Sequence, residues 1–187
     1  MRFYGILLSR KRKQTSKKIP AISANMPNPN TALIEHFYTA FQNRDADSMV
    51  ACYVSDILFQ DPAFGGLHGK ESGDMWRMLL GRATDFMLTY DGIKSIGQIA
   101  SAKAVARYTY SATGNIFVNE IHARFAIRDG LIAEHTDVFD LWCWSRQALG
   151  LSGWLLGWTP QMQHAIQGKA RRALKDYRTK YREKATP

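Results

Sequence analysis

Residues 54–69 read VSDILFQDPAFGGLHG, and this stretch decides the fold of the chain. Ile57 and Phe59 alternate with polar neighbours, as in a half-buried strand that ends at Asp61 and Pro62. Because proline fixes its own φ and disfavours a helical conformation at the residue before it, we expect Asp61 to be extended. A glycine pair follows as a turn signal. The sequence therefore predicts a carboxylate held at a strand end, beside a glycine-rich turn.

Helical patterns lie on both sides of this stretch. Asn30 or Thr31 can cap a first helix through Asn43, and Asp45 can cap a second helix through about Tyr53. A third helix is predicted over Gly69–Ala83, and the strand candidates are Ile57–Gln60, Phe86–Ile96, Lys103–Ala112, Phe117–Ile127 and Leu131–Trp142. Three helices followed by a meander of strands indicate an α+β fold.

The basic charge of the chain is confined to its two ends. The 187 residues carry a net charge of +9, yet residues 26–167 hold ten Lys/Arg against fourteen Asp/Glu. Residues 1–25 hold seven Lys/Arg and no acid, and residues 168–187 hold eight against two acids. Since the predicted domain is mildly acidic, we do not expect it to bind nucleic acid.

The cysteine content and the first residues bear on location. Two cysteines, Cys52 in a helical stretch and Cys143 at the end of the last predicted strand, form neither a disulfide framework nor a metal-like spacing, which is typical of a reducing cytoplasm. We interpret residues 1–28 as a basic disordered extension rather than a signal peptide, since its apolar run is short and charges follow it. Met26 directly precedes the predicted domain, and we expect translation to start there.

The composition changes after Trp144. Residues 145–187 combine an apolar segment containing Trp154 and Trp158 with a basic helix predicted from Gln163 to about Lys184. Two interpretations stay open: the apolar side chains cover the domain at residues 29–144 or a partner subunit, or the segment makes weak contact with an anionic membrane surface.

The last hairpin sets which side chains face inward. A three-residue loop at Arg128–Gly130 would pair Arg124 with Glu134 and Ile121 with Asp137. A two-residue loop would instead put His122 opposite Asp137. We prefer the three-residue loop, because it gives one apolar face carrying His135 and Asp137 and one polar face.

Asp137 is the candidate catalytic base. A carboxylate in an apolar cavity has a raised pKa and can remove a carbon-bound proton or activate water. A buried structural acceptor, satisfied by backbone or by Arg107, is the alternative role for this carboxylate. For Asp61 the alternative is a turn residue that bonds backbone amides after Pro62.

Residues 54–69, with Asp61 and Pro62 before the glycine pair at 65–66, resemble the signature of the SnoaL-like and ketosteroid-isomerase-like branch of the nuclear-transport-factor-2-like superfamily. The resemblance covers about residues 30–144 and implies a cone-shaped α+β barrel: a curved, mostly antiparallel sheet packed on three N-terminal helices, with an apolar pocket. Within that branch, residues 37–62 resemble the ketosteroid-isomerase pattern without a gap. By resemblance to ketosteroid isomerases, Asp61 falls on the general base and Tyr53 on a tyrosine of the hydrogen-bonded network. The oxyanion tyrosine position holds Phe37, with Tyr38 next to it, and the second donor falls near His122 or Ala123.

Residues 135–140, HTDVFD, also resemble the last strand of limonene-epoxide hydrolase. This resemblance implies that Asp137 is an acidic member of a catalytic triad and that Arg107 is its arginine, while Thr109 stands where the remaining acid is expected. SnoaL-type polyketide cyclases use an Asp and a His in a similar pocket, roles that Asp137 with His135 or His122 would fill.

These resemblances imply a protein that binds a small hydrophobic, carbonyl- or hydroxyl-bearing molecule, either as an isomerase, cyclase or hydrolase with no metal or nucleotide cofactor, or without turnover. We expect a homodimer that associates through its sheet. Asp137 or Asp61 would be the base, His135 would donate or orient, and Arg107 would hold charge. The expected ligand-binding residues are Tyr38, Tyr53, Trp76, Phe125 and Phe139.

Overall fold

The computed structural model describes residues 28–82, 85–110 and 113–184. The predicted N-terminal extension and the start at Met26 lie outside these ranges. So do the predicted end of the third helix at Ala83 and of a strand at Ala112. The predictions for the rest of the chain can be compared with the structure.

Two short helices open the domain. Helix α1 spans Pro29–Gln42, and the Asn28 side chain caps it by accepting the backbone N–H of Asn30. Helix α2 spans Ala46–Ala51, and the carboxylate of Asp45 accepts the N–H of Ser48. Both predicted helices are therefore confirmed. The predicted cap of α1 is wrong, because Asn30 and Thr31 lie inside the helix and Asn28 caps it. Helix α2 ends before Tyr53. That residue opens the first strand instead, with its side chain buried.

Six strands form one open, curved sheet. They are β1 Tyr53–Asp61, β2 Gly65–His68, β3 Met87–Ile96, β4 Ile99–Tyr110, β5 Asn115–Arg128 and β6 Leu131–Val138. Their order in the sheet is β2-β1-β6-β5-β4-β3; β1 and β6 pair in parallel, and every other neighbouring pair is antiparallel. The third helix, α3, spans Lys70–Arg82 between β2 and β3. The predicted α+β class, with a mostly antiparallel sheet against three N-terminal helices, is confirmed.

The core lies between these helices and one face of the sheet. Along β4, Ala100, Ala102, Ala104 and Ala106 are buried, while the residues between them are exposed. Four small side chains in a row leave room for large ones from α1 and α3, among them Phe37, Phe41 and Trp76. The sheet therefore has one core-facing side and one outward side, as alternation along a strand requires.

The last hairpin differs from both predicted registers. Its tip is a two-residue loop, Asp129-Gly130, with both residues at positive φ, and Arg128 pairs with Leu131. A bulge at the next step then brings Ala126 opposite Glu134 and Ala123 opposite Asp137.

The preferred three-residue loop is therefore wrong, and so are its pairs of Arg124 with Glu134 and of Ile121 with Asp137. The alternative two-residue loop is confirmed at the tip, but His122 lies opposite Val138 rather than Asp137. The observed register differs from the preferred one by two residues, since Asp137 lies opposite Ala123 rather than Ile121. A shift of two residues does not change the face to which a side chain points, so His135 and Asp137 still face the core.

The chain after β6 is helical where a strand was predicted to continue. The Asp140 carboxylate accepts the N–H groups of Trp142 and Cys143 and caps α4, Leu141–Leu149. Helix α5, Leu151–Leu156, and the long helix α6, Pro160–Lys184, follow. Cys143 therefore lies on a helix rather than at a strand end. Of the helices in the described ranges, none, α6 included, combines the length and apolarity needed to cross a bilayer.

Candidate acid–base site between the helices and the sheet

Four buried polar side chains from three elements form one hydrogen-bonded chain. The indole Nε1 of Trp76, on α3, donates to the hydroxyl oxygen of Tyr53 at 3.0 Å. That hydroxyl lies 2.6 Å from Nδ1 of His135, on β6. Nε2 of His135 lies 2.9 Å from Oδ1 of Asp137, two residues further along the same strand. The structure thus brings together four of the side chains that the sequence singled out.

One arrangement of protons satisfies this whole chain. Burial raises the pKa of the Tyr53 hydroxyl, so it keeps its proton at neutral pH and can donate it to Nδ1 of His135. A neutral imidazole that accepts at Nδ1 carries its proton on Nε2, where it donates to the Asp137 carboxylate. All three hydrogen bonds then point toward Asp137. Both ring nitrogens of His135 are occupied, so the imidazole orients Asp137 rather than touching a ligand.

Aromatic rings enclose His135. Its ring centroid lies 4.4 Å from that of Phe125, 5.1 Å from Phe59 and 5.3 Å from Phe37, and Trp76 stacks on it at 6.2 Å. His135 is 1% exposed and Asp137 is 7% exposed. Hydrogen bonds in such a low-dielectric setting are stronger than in water, and an unpaired polar group there is costly.

Tyr38, the other predicted ligand-binding tyrosine, packs beside this cluster. Its ring stacks on Tyr90 at 5.0 Å and meets Phe125 edge-on at 6.2 Å. Burial, and after it the charge of Asp137, hold the pKa of the Tyr38 hydroxyl well above its usual range. The hydroxyl therefore stays protonated and able to donate at neutral pH.

Asp61 lies beside Asp137 on the neighbouring strand. In the parallel pair β1–β6, Phe59 is opposite His135, and Asp61 and Asp137 each follow two residues later. The two carboxyl groups therefore share a face and a level of the sheet. Burial raises the pKa of Asp61 to about 7, against a lowering effect of the backbone amide of Phe64, and the charge of Asp137 raises it further. Near neutral pH, Asp61 is therefore partly protonated, and its protonated form is able to give up a proton.

The turn after Asp61 is held from two sides. The carboxylate accepts the N–H of Phe64, as the alternative turn role predicted. On the other side, Nε2 of Gln167 donates to the carbonyl of Pro62 at 3.0 Å, and the guanidinium of Arg171 donates to the carbonyls of Phe64 and Gly66 at 2.7 and 2.8 Å. Helix α6 thus fixes the turn that carries Asp61.

Arg171 and Gln167 were not predicted as site residues. They are four residues apart, which puts them on one face of a helix. This spacing does not indicate which groups they contact. The partner carbonyls lie about a hundred residues earlier in the chain, so only the tertiary structure reveals these contacts.

The structure does not bring Arg107 to the cluster. It lies on the exposed face of β4, opposite Met87 and Val118, and its Nη1 lies 3.9 Å from the Met87 sulfur. His122 is likewise exposed, opposite Lys103 and Val138. Phe139 is half-buried in the link between β6 and α4. The alternative that Arg107 satisfies Asp137 is wrong, since the two side chains lie on opposite faces of the sheet.

Metal ligands are not grouped in the described part of the chain: residues 28–82, 85–110 and 113–184 contain no cluster of three or more His, Cys, Asp or Glu side chains suited to an ion. What the site offers is a carboxylate, a second carboxyl group that is partly protonated near neutral pH, tyrosine hydroxyls and apolar walls. Such a set can move protons on a bound organic molecule.

Comparisons with known proteins agree on the fold. The family model described as the SnoaL-like domain matches residues 34–135. No curated protein sequence matches the chain. An epoxide hydrolase from M. tuberculosis, described as LEH-like, is similar in structure, with a TM-score of 0.56 and 21% identity over 69% of this chain and 96% of that one.

Two further solved structures are similar. A protein from Xanthomonas campestris, proposed to be a polyketide cyclase, has a TM-score of 0.54 and 21% identity over 64% of this chain and 96% of its own. A protein of ketosteroid-isomerase-like fold from Catenulispora acidiphila, in complex with trimethylamine, has a TM-score of 0.58 and 17% identity over 68% of this chain and 97% of its own. At these identities the similarity shows the fold, and function must be argued from the site.

Proposed function

The chain belongs to the SnoaL-like domain family, and from this premise we propose that it binds a small hydrophobic molecule bearing a carbonyl or hydroxyl group and moves a proton on it. The reaction class is isomerisation, cyclisation, dehydration or hydrolysis, with no metal or nucleotide cofactor. The observation that supports this most is the hydrogen-bonded chain from Trp76 through Tyr53 and His135 to Asp137, buried among aromatic rings beside Asp61.

Asp137 acts as the general base in this proposal. Its Oδ1 is fixed by Nε2 of His135, which is itself held by Tyr53, so the carboxylate is positioned before a ligand arrives. Such preorganisation avoids the cost of orienting the base during the reaction. The revised role of His135 is to position Asp137, since its two nitrogens are already bonded.

Asp61 acts as the general acid. A group with a pKa of about 7 is close to the optimum for proton transfer near neutral pH. Phe37 offers no hydroxyl to a developing oxyanion, so the proton of Asp61 would supply that stabilisation. Two neighbouring carboxyl groups in different protonation states are the usual way for one site to provide both an acid and a base.

A ligand panel followed by turnover assays tests this function. The full chain would be examined as purified by native mass spectrometry, then by thermal shift with steroids, polyketide fragments, terpenoid epoxides and fatty acids. We expect one class to stabilise the protein, and Asp137→Asn to lose turnover by about 100-fold or more while keeping most of the binding. Glu134→Gln is the matched control, since Glu134 lies on the same strand but is exposed. Equal turnover in Asp137→Asn and wild type would refute the role of Asp137.

A non-catalytic binding or interaction module, whose partner is not a small molecule, is the second candidate. The packing of Phe37, Phe59 and Phe125 around His135 favours it, because an interior filled by its own rings leaves less room for a ligand. Under this alternative, no panel member would shift the melting temperature, and Asp137→Asn would change stability alone.

We also propose a homodimer that associates through the outer face of the sheet. Large apolar side chains are exposed there, among them Met87 at 61%, Ile116 at 54% and Val118 at 42%. The same native mass spectra report the mass of the assembly, and a monomer at micromolar concentration would contradict this part of the proposal.

A further inference from the structure

A second surface, independent of the proposed reaction, lies at α5 and the turn after it. Its large apolar side chains are at least half exposed, although soluble proteins rarely expose such side chains in a cluster. We call it the α5 apolar surface, and it consists of Leu151 at 80%, Trp154 at 57%, Leu155 at 56%, Leu156 at 51% and Trp158 at 63% exposure.

The orientation of α5 is fixed by its glycines. A Cβ added at Gly153 would lie 2.0 Å from the carbonyl oxygen of Ser145, and one at Gly157 would lie 1.9 Å from the Ser145 hydroxyl oxygen. Both glycines therefore press against α4, and any larger residue there would force the two helices apart. Four residues apart, they share one side of the segment, and Trp154 and Leu155 point away from that side. In this segment the two glycines are therefore buried, while the large apolar side chains are exposed.

The chain segment that carries this surface holds side-chain charge of a single sign in its sequence. Between Asp140 and Asp176 the sequence contains no acidic residue. Arg146, Lys169, Arg172 and Lys175 fall in this interval and are exposed, and Arg146 lies over the ring of Trp142, 4.8 Å from its centroid. Apolar and tryptophan side chains flanked by cations are what an anionic lipid surface attracts.

We propose that the α5 apolar surface docks on an anionic membrane, with its tryptophan and leucine side chains at the headgroup level and the neighbouring cations on the lipid phosphates. Tryptophan suits this depth, because its ring is apolar while its N–H can bond at the interface. A second copy of the chain is a poorer occupant, since a symmetric contact through this surface would bring two sets of cations together.

Vesicle co-sedimentation of the full chain tests the proposal. The vesicles would be phosphatidylcholine alone, or phosphatidylcholine with 30% phosphatidylglycerol, at low and high salt. We expect binding to the anionic vesicles with a blue shift of tryptophan fluorescence, and loss of binding at high salt. The double variant Trp154→Ser, Trp158→Ser should bind about 100-fold more weakly, since each large apolar side chain contributes about a factor of ten.

Two further variants keep the test independent of folding. The pair Lys169→Glu, Arg172→Glu leaves the apolar side chains in place and should weaken binding about tenfold or more, through charge alone. Ile96→Ser is the matched control. The Ile96 side chain is 85% exposed at the hairpin between β3 and β4 and is not part of the α5 apolar surface, so this variant should bind as wild type. Far-UV circular dichroism confirms that each variant is folded. Unchanged binding of the double tryptophan variant would overturn the proposal, as would equal binding to neutral vesicles. Loss of self-association in that variant, with no vesicle binding by wild type, would assign the surface to a second copy instead.

Discussion

Replacing Tyr53 by phenylalanine tests the central hydrogen-bonded chain without any knowledge of the ligand. The change keeps the ring and its contact with Phe37 at 5.6 Å but removes the hydroxyl that lies between Trp76 and His135. The indole N–H and Nδ1 of His135 would both remain buried without a partner. Each such group costs about 1–3 kcal/mol, so we expect the free energy of unfolding to fall by about 2–6 kcal/mol.

Urea unfolding measures this difference, provided that the m value is unchanged. Tyr90→Phe is the control, because the hydroxyl of Tyr90 makes one exposed contact, 3.3 Å from Thr39 Oγ1, and its loss should cost less than about 0.5 kcal/mol. Nitrogen NMR of His135 provides a second readout: wild type should show a proton on Nε2 alone, and the Nδ1 signal should move in Tyr53→Phe. A loss below about 0.5 kcal/mol with an unmoved Nδ1 signal would refute the chain.

Three further predictions concern the turn at Asp61 and the outer sheet face. Burial raises the pKa of Asp61 from 3.8 to about 7, so the native state holds a proton that the unfolded state releases above pH 4. Stability should therefore fall as pH rises from about 4 to about 7, by up to about 4 kcal/mol, and urea unfolding of Asp61→Asn should lack this fall. Arg171→Ala should cost about 1–3 kcal/mol and speed hydrogen exchange at the Phe64 amide, whereas the exposed neighbour Arg172→Ala should stay within about 0.5 kcal/mol. Arg107→Ala should leave ligand affinity and turnover within about twofold, since its side chain lies on the opposite sheet face; a tenfold loss in an enzyme assay would contradict the placement.

Much of the fold followed from local patterns. Asp45 caps the helix that was predicted to follow it. The alternation of apolar and polar residues along β5 and β6 predicts that Phe125, His135 and Asp137 face the core, and all three are buried. That face assignment survived a wrong hairpin register because a shift of two residues preserves the side to which each side chain points. The prediction that Asp61 lies at a strand end is also confirmed, and it too rests on a local effect, the restriction that Pro62 imposes on the preceding residue.

The contacts of the site could not be predicted in this way. The sequence predicts Tyr53 at the end of a helix. Its bond to His135 depends instead on the parallel pairing of β1 with β6, whose register shifts between Tyr53 and Leu58. Sequence alternation gives a side-chain direction, but it does not give the register between strands that are distant in the chain. Arg107 shows the same limit, since the resemblance matched its strand position while the observed alternation turns it outward.

The apolar run after Val138 misled the prediction in a different way. The predicted strand continues to Trp142, whereas Asp140 is a helix cap that accepts two backbone N–H groups. Strand β6 ends opposite His122, so the earlier part of β5 pairs with β4 on one side and has no strand of the described sheet on the other, where α4 lies. The Gln147 side chain of α4 bonds both the N–H and the carbonyl of Val118 there.

Deuterium exchange from solvent water into a bound ketone tests the central claim, proton transfer by Asp137, most directly. The ketone would be the panel member that most raises the melting temperature, and wild type would be compared with Asp137→Asn at equal occupancy. We predict that wild type exchanges the hydrogen next to the carbonyl at least about 100-fold faster than Asp137→Asn, while both bind the ketone. Equal exchange rates in the two proteins, or binding by wild type without any exchange, would contradict the account.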